Sequence, residues 1–217
     1  MADPVNLHGY RYSVYTRIAR LTLLAKAVGH EVIEVDPFAP LPQAYRALHP
    51  FGRVPALVHG SFAIFETSAI TRYIDRAFDG PSLQPARTVA LARMDQLVAA
   101  IDAYAYWPMV RQVASHGFFR ARFDEPSSPQ EVDAGLRASA TMLSFLEDVA
   151  AEGEILTGVD ITLADCHLAP VIDYFVRTGA GKAALFEHPA LQAWWNRIAT
   201  LPALAATDPF RGEATSP

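Results

Sequence analysis

The sequence predicts an α/β domain built on a mixed sheet, followed by an all-helical domain. Three observations carry this. Short β-type and longer helical segments alternate over the first 78 residues; a stretch rich in Pro, Gly and Ser follows; and every patterned segment beyond it has a helical period.

In order, Val5–His8 reads as a short strand ending at Gly9. Ile18, Leu21, Leu24 and Val28 recur at helical spacing, and Gly29 stands where a C-cap is expected. His30–Val35 alternates apolar and polar residues, the period of a second strand. Pro42–His49 makes a short helix or an irregular turn. Ala56–His59, Gly60-Ser61 and Phe62–Phe65 read as a hairpin with a glycine turn. Thr67–Phe78 is helical, with Ala69, Ile70, Tyr73 and Ile74 at the inward spacing. The predicted order is β-α-β-α-β-β-α.

DGPSLQPART (Asp79–Thr88) reads as a linker, which sets the domains at 1–79 and 89–217, with 80–88 between them. The second domain opens with a long helix, Val89–His116, expected to bend or break at Pro108. After a loop at Arg122–Ser128, Pro129–Ala151 carries Val132, Leu136, Ala140 and Leu143 on one stripe. Thr162–Arg177 and Pro189–Leu201 complete a helical bundle.

Composition removes several classes of function. Of 217 residues, 51% are apolar, which favours a packed globular protein. The net charge of −5 comes with no Lys/Arg run, so the phosphate attraction behind nucleic-acid binding is missing. MADPVNLHGY carries Asp3 and no long apolar run, and no stretch approaches the roughly 20 apolar residues that span a bilayer. A cytoplasmic protein without membrane or nucleic-acid partners is expected. Cys166 is the only cysteine, which excludes an internal disulfide, a CxxC pair and a Cys-rich metal site. The seven histidines show no paired-ligand spacing, so no metal is expected.

Two short motifs carry chemistry. Val54-Pro55 sits at the start of the hairpin, where a residue without an N–H is tolerated. Glu66-Thr67 opens a helix: read by itself, Thr67 is an N-cap and Glu66 an acidic group near the positive helix end. The same placement also converges amides, a hydroxyl and a carboxylate where an amino-acid ligand would dock.

Together, these motifs resemble a known family. Phe51–Asp75, FGRVPALVHGSFAIFETSAITRYID, resembles the second half of a glutathione transferase N-terminal domain, with Gly52, Val54, Pro55, Glu66, Ala69 and Ile70 at matching spacing. The likeness is to the phi/theta-like type found in bacteria and plants. LHGYRYSVYTRIARL resembles that family's first strand and helix, with Ser13 four residues before Arg17. Gly158 and Thr162-Leu163-Ala164-Asp165 resemble its buried capping box, and HPALQAWWNRIATLPA its last long helix.

The resemblance implies a thioredoxin-like first domain, glutathione as co-substrate and a small hydrophobic electrophile as second substrate. It implies a cis Val54–Pro55 bond whose backbone holds the cysteinyl part of glutathione, with Glu66 and Thr67 on the γ-glutamyl end. It also implies Ser13 as the group that stabilises the thiolate, with Tyr12 as the second candidate, and a homodimer with Phe51 near the subunit contact. The family's basic grip on the glycine carboxylate is replaced here by Pro40-Leu41, which leaves Gln43, Arg46 and Arg53 as substitutes, Arg53 first. Tyr10, Tyr12 and Tyr15 are expected to wall the electrophile pocket, with Tyr104, Trp107 and Arg111 on its other side.

The chemical task is modest. A thiol with a pKa of about 8.5 must be lowered by about two units, which takes roughly 2.7 kcal/mol. One hydroxyl bonded to a charged sulfur contributes about 1.5–3 kcal/mol. A helix N-terminus adds about 0.3–1 kcal/mol, up to about 2 when partly buried. No general base is required, since the thiolate itself attacks. Peroxidase and dehalogenase side activities would use the same thiolate. The competing expectation is a non-catalytic transferase-like module for binding or assembly.

Overall fold

Val5, Leu7 and Gly9 of β1 (Val5–Gly9) are buried while Asn6 and His8 are half-buried, the alternation of a strand with one face on a core. β1 pairs in parallel with β2 (Glu31–Glu34), Asn6 lying opposite Glu31. On its other side it pairs antiparallel with β3 (Ala56–His59), which pairs antiparallel with β4 (Phe62–Phe65). The sheet order is β2-β1-β3-β4, the mixed sheet expected. Helices α1 (Val14–Ala25) and α3 (Thr67–Ala77) pack on each other, and α2 (Gln43–Leu48) lies between β2 and β3 in the chain. Val5, Leu7, Ala19, Leu23, Leu57, Ile70 and Ile74 form the core between sheet and helices.

The computed structural model describes residues 3–211. The chain divides into two units, one reaching to Ser82 and taking in the segment from Pro202, the other Leu83–Leu201.

Gly29 does not cap α1. The helix ends at Ala25, Lys26 takes the cap position, and Ala27 adopts φ +56° to turn the chain. Beside that turn, the Lys26 ammonium is drawn inward to Asp75 at 3.2 Å and to the Pro81 carbonyl at 2.9 Å, with both side chains of the ion pair buried.

In the second unit, α4 (Thr88–Ala100) runs on into a wider-turned stretch, Ile101–Phe119, and a last turn, α5 (Arg120–Arg122). The Arg120 N–H there reaches the Ser115 carbonyl, five residues back. Pro108 does not break this helix; the wide turns absorb a residue with no N–H to donate. α6 (Pro129–Glu152) begins at Ser128, whose hydroxyl accepts the Glu131 N–H at 3.3 Å, and ends at Gly153 in the left-handed region. Its buried stripe is Gly135, Ser139, Met142, Leu143, Leu146 and Val149; of the line Val132, Leu136, Ala140 and Leu143 read from apolarity, Leu143 is buried, Val132 and Leu136 are half-buried and Ala140 is exposed. Gly135 explains the rotation: a Cβ there would stand 2.8 Å from the Pro108 carbonyl oxygen, so its bare backbone lets α6 press onto the wide-turned helix.

α7 (Leu163–Phe175) carries the expected capping box. The Thr162 N–H donates to Asp165 Oδ2 at 2.8 Å, and Thr162 Oγ1 accepts the Asp165 N–H at 3.4 Å. Trp194, from α9 (Pro189–Ile198), donates its indole N–H to the other Asp165 oxygen at 2.7 Å. Burial pushes the Asp165 carboxyl above its ordinary value, and these hydrogen bonds oppose that push. The sequence reading did not separate α8 (Gly179–Phe186), capped by Thr178. The last helix, α10 (Pro202–Ala206), belongs with the first unit, against α1, whereas the sequence reading placed it at the end of the helical domain. No helix among the described residues is long and apolar enough to cross a membrane.

Candidate active site

The site is built where β1 hands the chain to α1. A Cβ on Gly9 would collide with the Thr16 side chain, so only glycine lets the two approach. Thr16 uses that closeness: its hydroxyl accepts the Tyr10 N–H at 3.2 Å and pins the turn. The Ser13 N–H donates to the Tyr10 carbonyl at 2.9 Å, which seats Ser13 as the N-cap of α1.

Ser13 Oγ accepts the Thr16 N–H at 3.3 Å. Capping uses only an oxygen lone pair, and among the described residues the Ser13 O–H proton has no protein acceptor. A cap and a donor to a ligand sulfur are therefore compatible roles for one hydroxyl. The Arg17 N–H bonds to the Ser13 carbonyl at 3.0 Å, and the Arg17 side chain is buried behind it.

Tyr12, the second candidate donor, is half-buried. Its ring lies 5.4 Å from that of Tyr10, with the Arg11 guanidinium 5.0 Å from its centre. Tyr10 continues the row to exposed Phe38 at 5.9 Å. Burial, and then the charge of Asp36, raise the Tyr10 phenol above its ordinary value. Tyr15 is half-buried on α1.

A second strip lies at the entry to β3. The Val54–Pro55 peptide is cis, and no turn, loop or cap hydrogen bond takes up the Val54 N–H or carbonyl among the described residues. Tyr45, buried on α2, donates its hydroxyl to the Arg53 carbonyl at 2.6 Å and so fixes the peptide before Val54. Burial pushes the Tyr45 phenol up to about 12, so it remains a neutral donor. Tyr45 was not singled out in the sequence; its place in a short, weakly patterned helix gave no signal.

Glu66, not Thr67, occupies the cap position of α3, at φ +68° and without a side-chain cap bond. A non-glycine residue in that region costs of order 1–3 kcal/mol and persists where surrounding structure enforces it. The Glu66 carbonyl receives the Ala69 and Ile70 N–H groups at 3.0 and 2.9 Å. Thr67 is buried at the first helical position, and the N–H groups of the first turn point out of the helix end.

His49 was also missed. It is 3% exposed, its ring packs 4.7 Å from Phe65, and among the described residues its Nδ1 has no hydrogen-bond partner. Burial holds its pKa below the ordinary value, opposed by Glu66 and reinforced by Arg53. Phe51 is 71% exposed with one edge on Phe65.

Of the three substitutes for a glycine-carboxylate grip, Arg46 reaches the loop: its Nη1 lies 3.5 Å from the position a Gly52 Cβ would take. Arg53 is exposed beside Val54, and Gln43 is exposed at the start of α2. On the helical unit Tyr104 and Trp107 are 69% and 61% exposed, and Arg111 is exposed on the same stretch.

Comparison with known proteins gives this arrangement its context. Family models match residues 7–82 as the N-terminal domain, and residues 106–202 as the C-terminal domain, of glutathione S-transferases. Glutathione S-transferase F9 of Arabidopsis thaliana is 31% identical over 194 residues, 87% of this chain and 89% of that protein. A glutathione S-transferase of Silene vulgaris is 30% identical over 212 residues, 94% of this chain and 96% of its own. Among solved structures, glutathione S-transferase III in its apo form is similar with a TM-score of 0.83 at 27% identity, covering 99% of each chain.

Proposed function

The chain belongs to the glutathione S-transferase family, and from that premise we propose that it binds glutathione along the first unit and makes its thiol a thiolate at Ser13. The observation that carries this reading is the Ser13 hydroxyl, whose oxygen is engaged by the Thr16 N–H while its proton is left for a ligand sulfur at the N-terminus of α1.

The remaining groups suit the rest of the molecule. The Val54 backbone, which takes no turn, loop or cap hydrogen bond among the described residues, supports this reading as an edge on which an extended cysteinyl peptide can pair as an added strand. Glu66 answers the α-ammonium of the γ-glutamyl end, while the Thr67 hydroxyl and the open α3 amides answer its carboxylate. Arg53 and Arg46 supply positive charge for the glycine carboxylate, with Gln43 nearby in sequence. On the first unit Tyr10, Tyr12 and Tyr15 offer aromatic surface suited to a hydrophobic electrophile; on the helical unit, taken by itself, Tyr104 and Trp107 are exposed aromatics with Arg111 on the same stretch. The exposed Phe51 fits a homodimer contact.

In the reaction, the electron pair on sulfur attacks the electrophilic carbon, a carbon–sulfur bond forms, and the leaving group departs with its bonding pair. The thiol proton is lost to solvent before attack, so the chain's part is to hold the anion and its orientation. Retention on immobilised glutathione with turnover of an aromatic halide is the expected result. Retention without conjugation across several electrophiles would favour a non-catalytic binding module instead.

A further inference from the structure

The segment 202–211 folds back onto the first unit and is held there by three arginines of the active-site turn and α1. Arg20 Nη2 donates to the Ala206 carbonyl at 3.1 Å, Arg17 Nε to Thr207 Oγ1 at 3.4 Å, and Arg11 Nη2 to the Pro209 carbonyl at 3.1 Å. Thr207 is fully buried and Phe210 is 8% exposed. These bonds fix where Phe210 stands. Its ring packs 5.4 Å from that of Tyr12, the residue joined to Ser13.

We propose that Phe210 is a positioning residue for the Ser13 hydroxyl, acting through Tyr12. The Tyr12 ring is flanked by Phe210, Tyr10 and the Arg11 guanidinium, and this packing holds the Tyr12 side chain and, through its Cα, the peptide that carries Ser13. Arg11 ties the two sides together: its backbone N–H is anchored to Glu34 Oε1 at 3.0 Å, while its side chain reaches Pro209. A displacement of about 1 Å at a group that must meet the sulfur is enough to cost on the order of a hundredfold in rate. Beyond the spacing of Arg17 from Ser13, the sequence pattern gave no hint of this, because the residues after Ala203 match no motif.

The inference rests on Ser13 as the thiolate donor, so its test includes a readout independent of turnover. In full-length Phe210→Ala, hydrogen exchange at the Ser13 and Thr16 amides, whose bonds define the cap, is expected to quicken about tenfold or more. The kcat is expected to fall about tenfold while the KM for glutathione stays within twofold. Phe210→Leu should recover part of both effects and covers the case in which the alanine variant folds poorly. Arg20→Ala, which touches the segment far from Ser13, should act in the same direction and add little to Phe210→Ala. Unchanged exchange at those two amides, with kcat within twofold and only the melting temperature lowered, would overturn the proposal. If the wild type itself turned over no electrophile, the reading of the function would fall, and the exchange measurement would still decide the role of Phe210.

Discussion

Replacing Ser13 by alanine removes one hydroxyl and keeps the rest of α1. A hydroxyl donating to a charged sulfur contributes about 1.5–3 kcal/mol, which at 1.36 kcal/mol per unit raises the bound thiol's pKa by roughly 1.1–2.2. With the wild-type thiol lowered to about 6.5, half is ionised at pH 6.5; in the variant about 0.6–7% is. The rate at pH 6.5 should therefore fall roughly 7- to 80-fold, and the deficit should shrink below about twofold by pH 9. The more basic thiolate is also the better nucleophile, which helps close the gap at high pH. Loss of the bond from the Thr16 N–H costs about 1 kcal/mol of stability, a fall of roughly 2–4 °C in Tm, so folding and chemistry separate cleanly. The assay is steady-state conjugation from pH 6 to 9, with an ultraviolet titration of the thiolate of bound glutathione. A Ser13→Ala variant that binds glutathione and keeps its rate within twofold at pH 6.5, or whose deficit is flat with pH, refutes the reasoning. Should Tyr12→Phe instead produce the pH-dependent loss, the donor is Tyr12.

Tyr45→Phe removes the hydrogen bond that fixes the Arg53 carbonyl; about 0.5–1.5 kcal/mol of it should appear as a roughly two- to twelvefold rise in the KM for glutathione at steady kcat. A fall in kcat alone would contradict a binding role. Lys26→Met takes the ammonium away from a carboxylate that is 4% exposed, and denaturant unfolding should register a loss of about 3–5 kcal/mol. A loss below about 1 kcal/mol would mean that this ion pair does not hold the end of α1. Burial lowers the pKa of His8, His49 and His116 below their ordinary 6.5, so the unfolded chain binds more protons and stability should fall as pH drops below about 6.5. Urea titrations at pH 5.5 and 7 test the sign, and His49→Phe should narrow the difference; greater stability at pH 5.5 would reverse the assignment.

Much of this architecture was legible because it is local. The alternation in β1, the glycine hairpin and the helical spacing of Ile70 and Ile74 each follow from neighbours in sequence. The capping box Thr162–Asp165 was readable for the same reason, since both partners sit within one helical turn. The errors arose where a distant residue decided. Gly29 looked like the cap of α1, but the chain turns earlier, at Ala27, beside a Lys26 whose ammonium is buried against Asp75. The stripe of α6 looked apolar along Val132, Leu136 and Ala140, but close approach at Gly135 turned another face inward.

The candidate site divides in the same way. Ser13, Val54, Pro55, Glu66 and Thr67 stood in motifs short enough to recognise. Tyr45, His49, Thr16 and Phe210 did not, because each acts through a partner that folding brings to it: a carbonyl before Val54, a phenylalanine on β4, a glycine at the end of β1, a ring in the turn. By itself the sequence determined the family, the order of elements in the first unit and the short motifs that hold the candidate residues, since periodicity and short motifs are written in adjacent positions. Only the tertiary structure decided that Ser13 Oγ takes the Thr16 N–H as the cap of α1, that Glu66 rather than Thr67 takes the cap of α3, and that 202–211 returns to the first unit. Those outcomes depend on distances between residues far apart in the chain, where burial, charge pairing and close backbone approach outweigh local propensity.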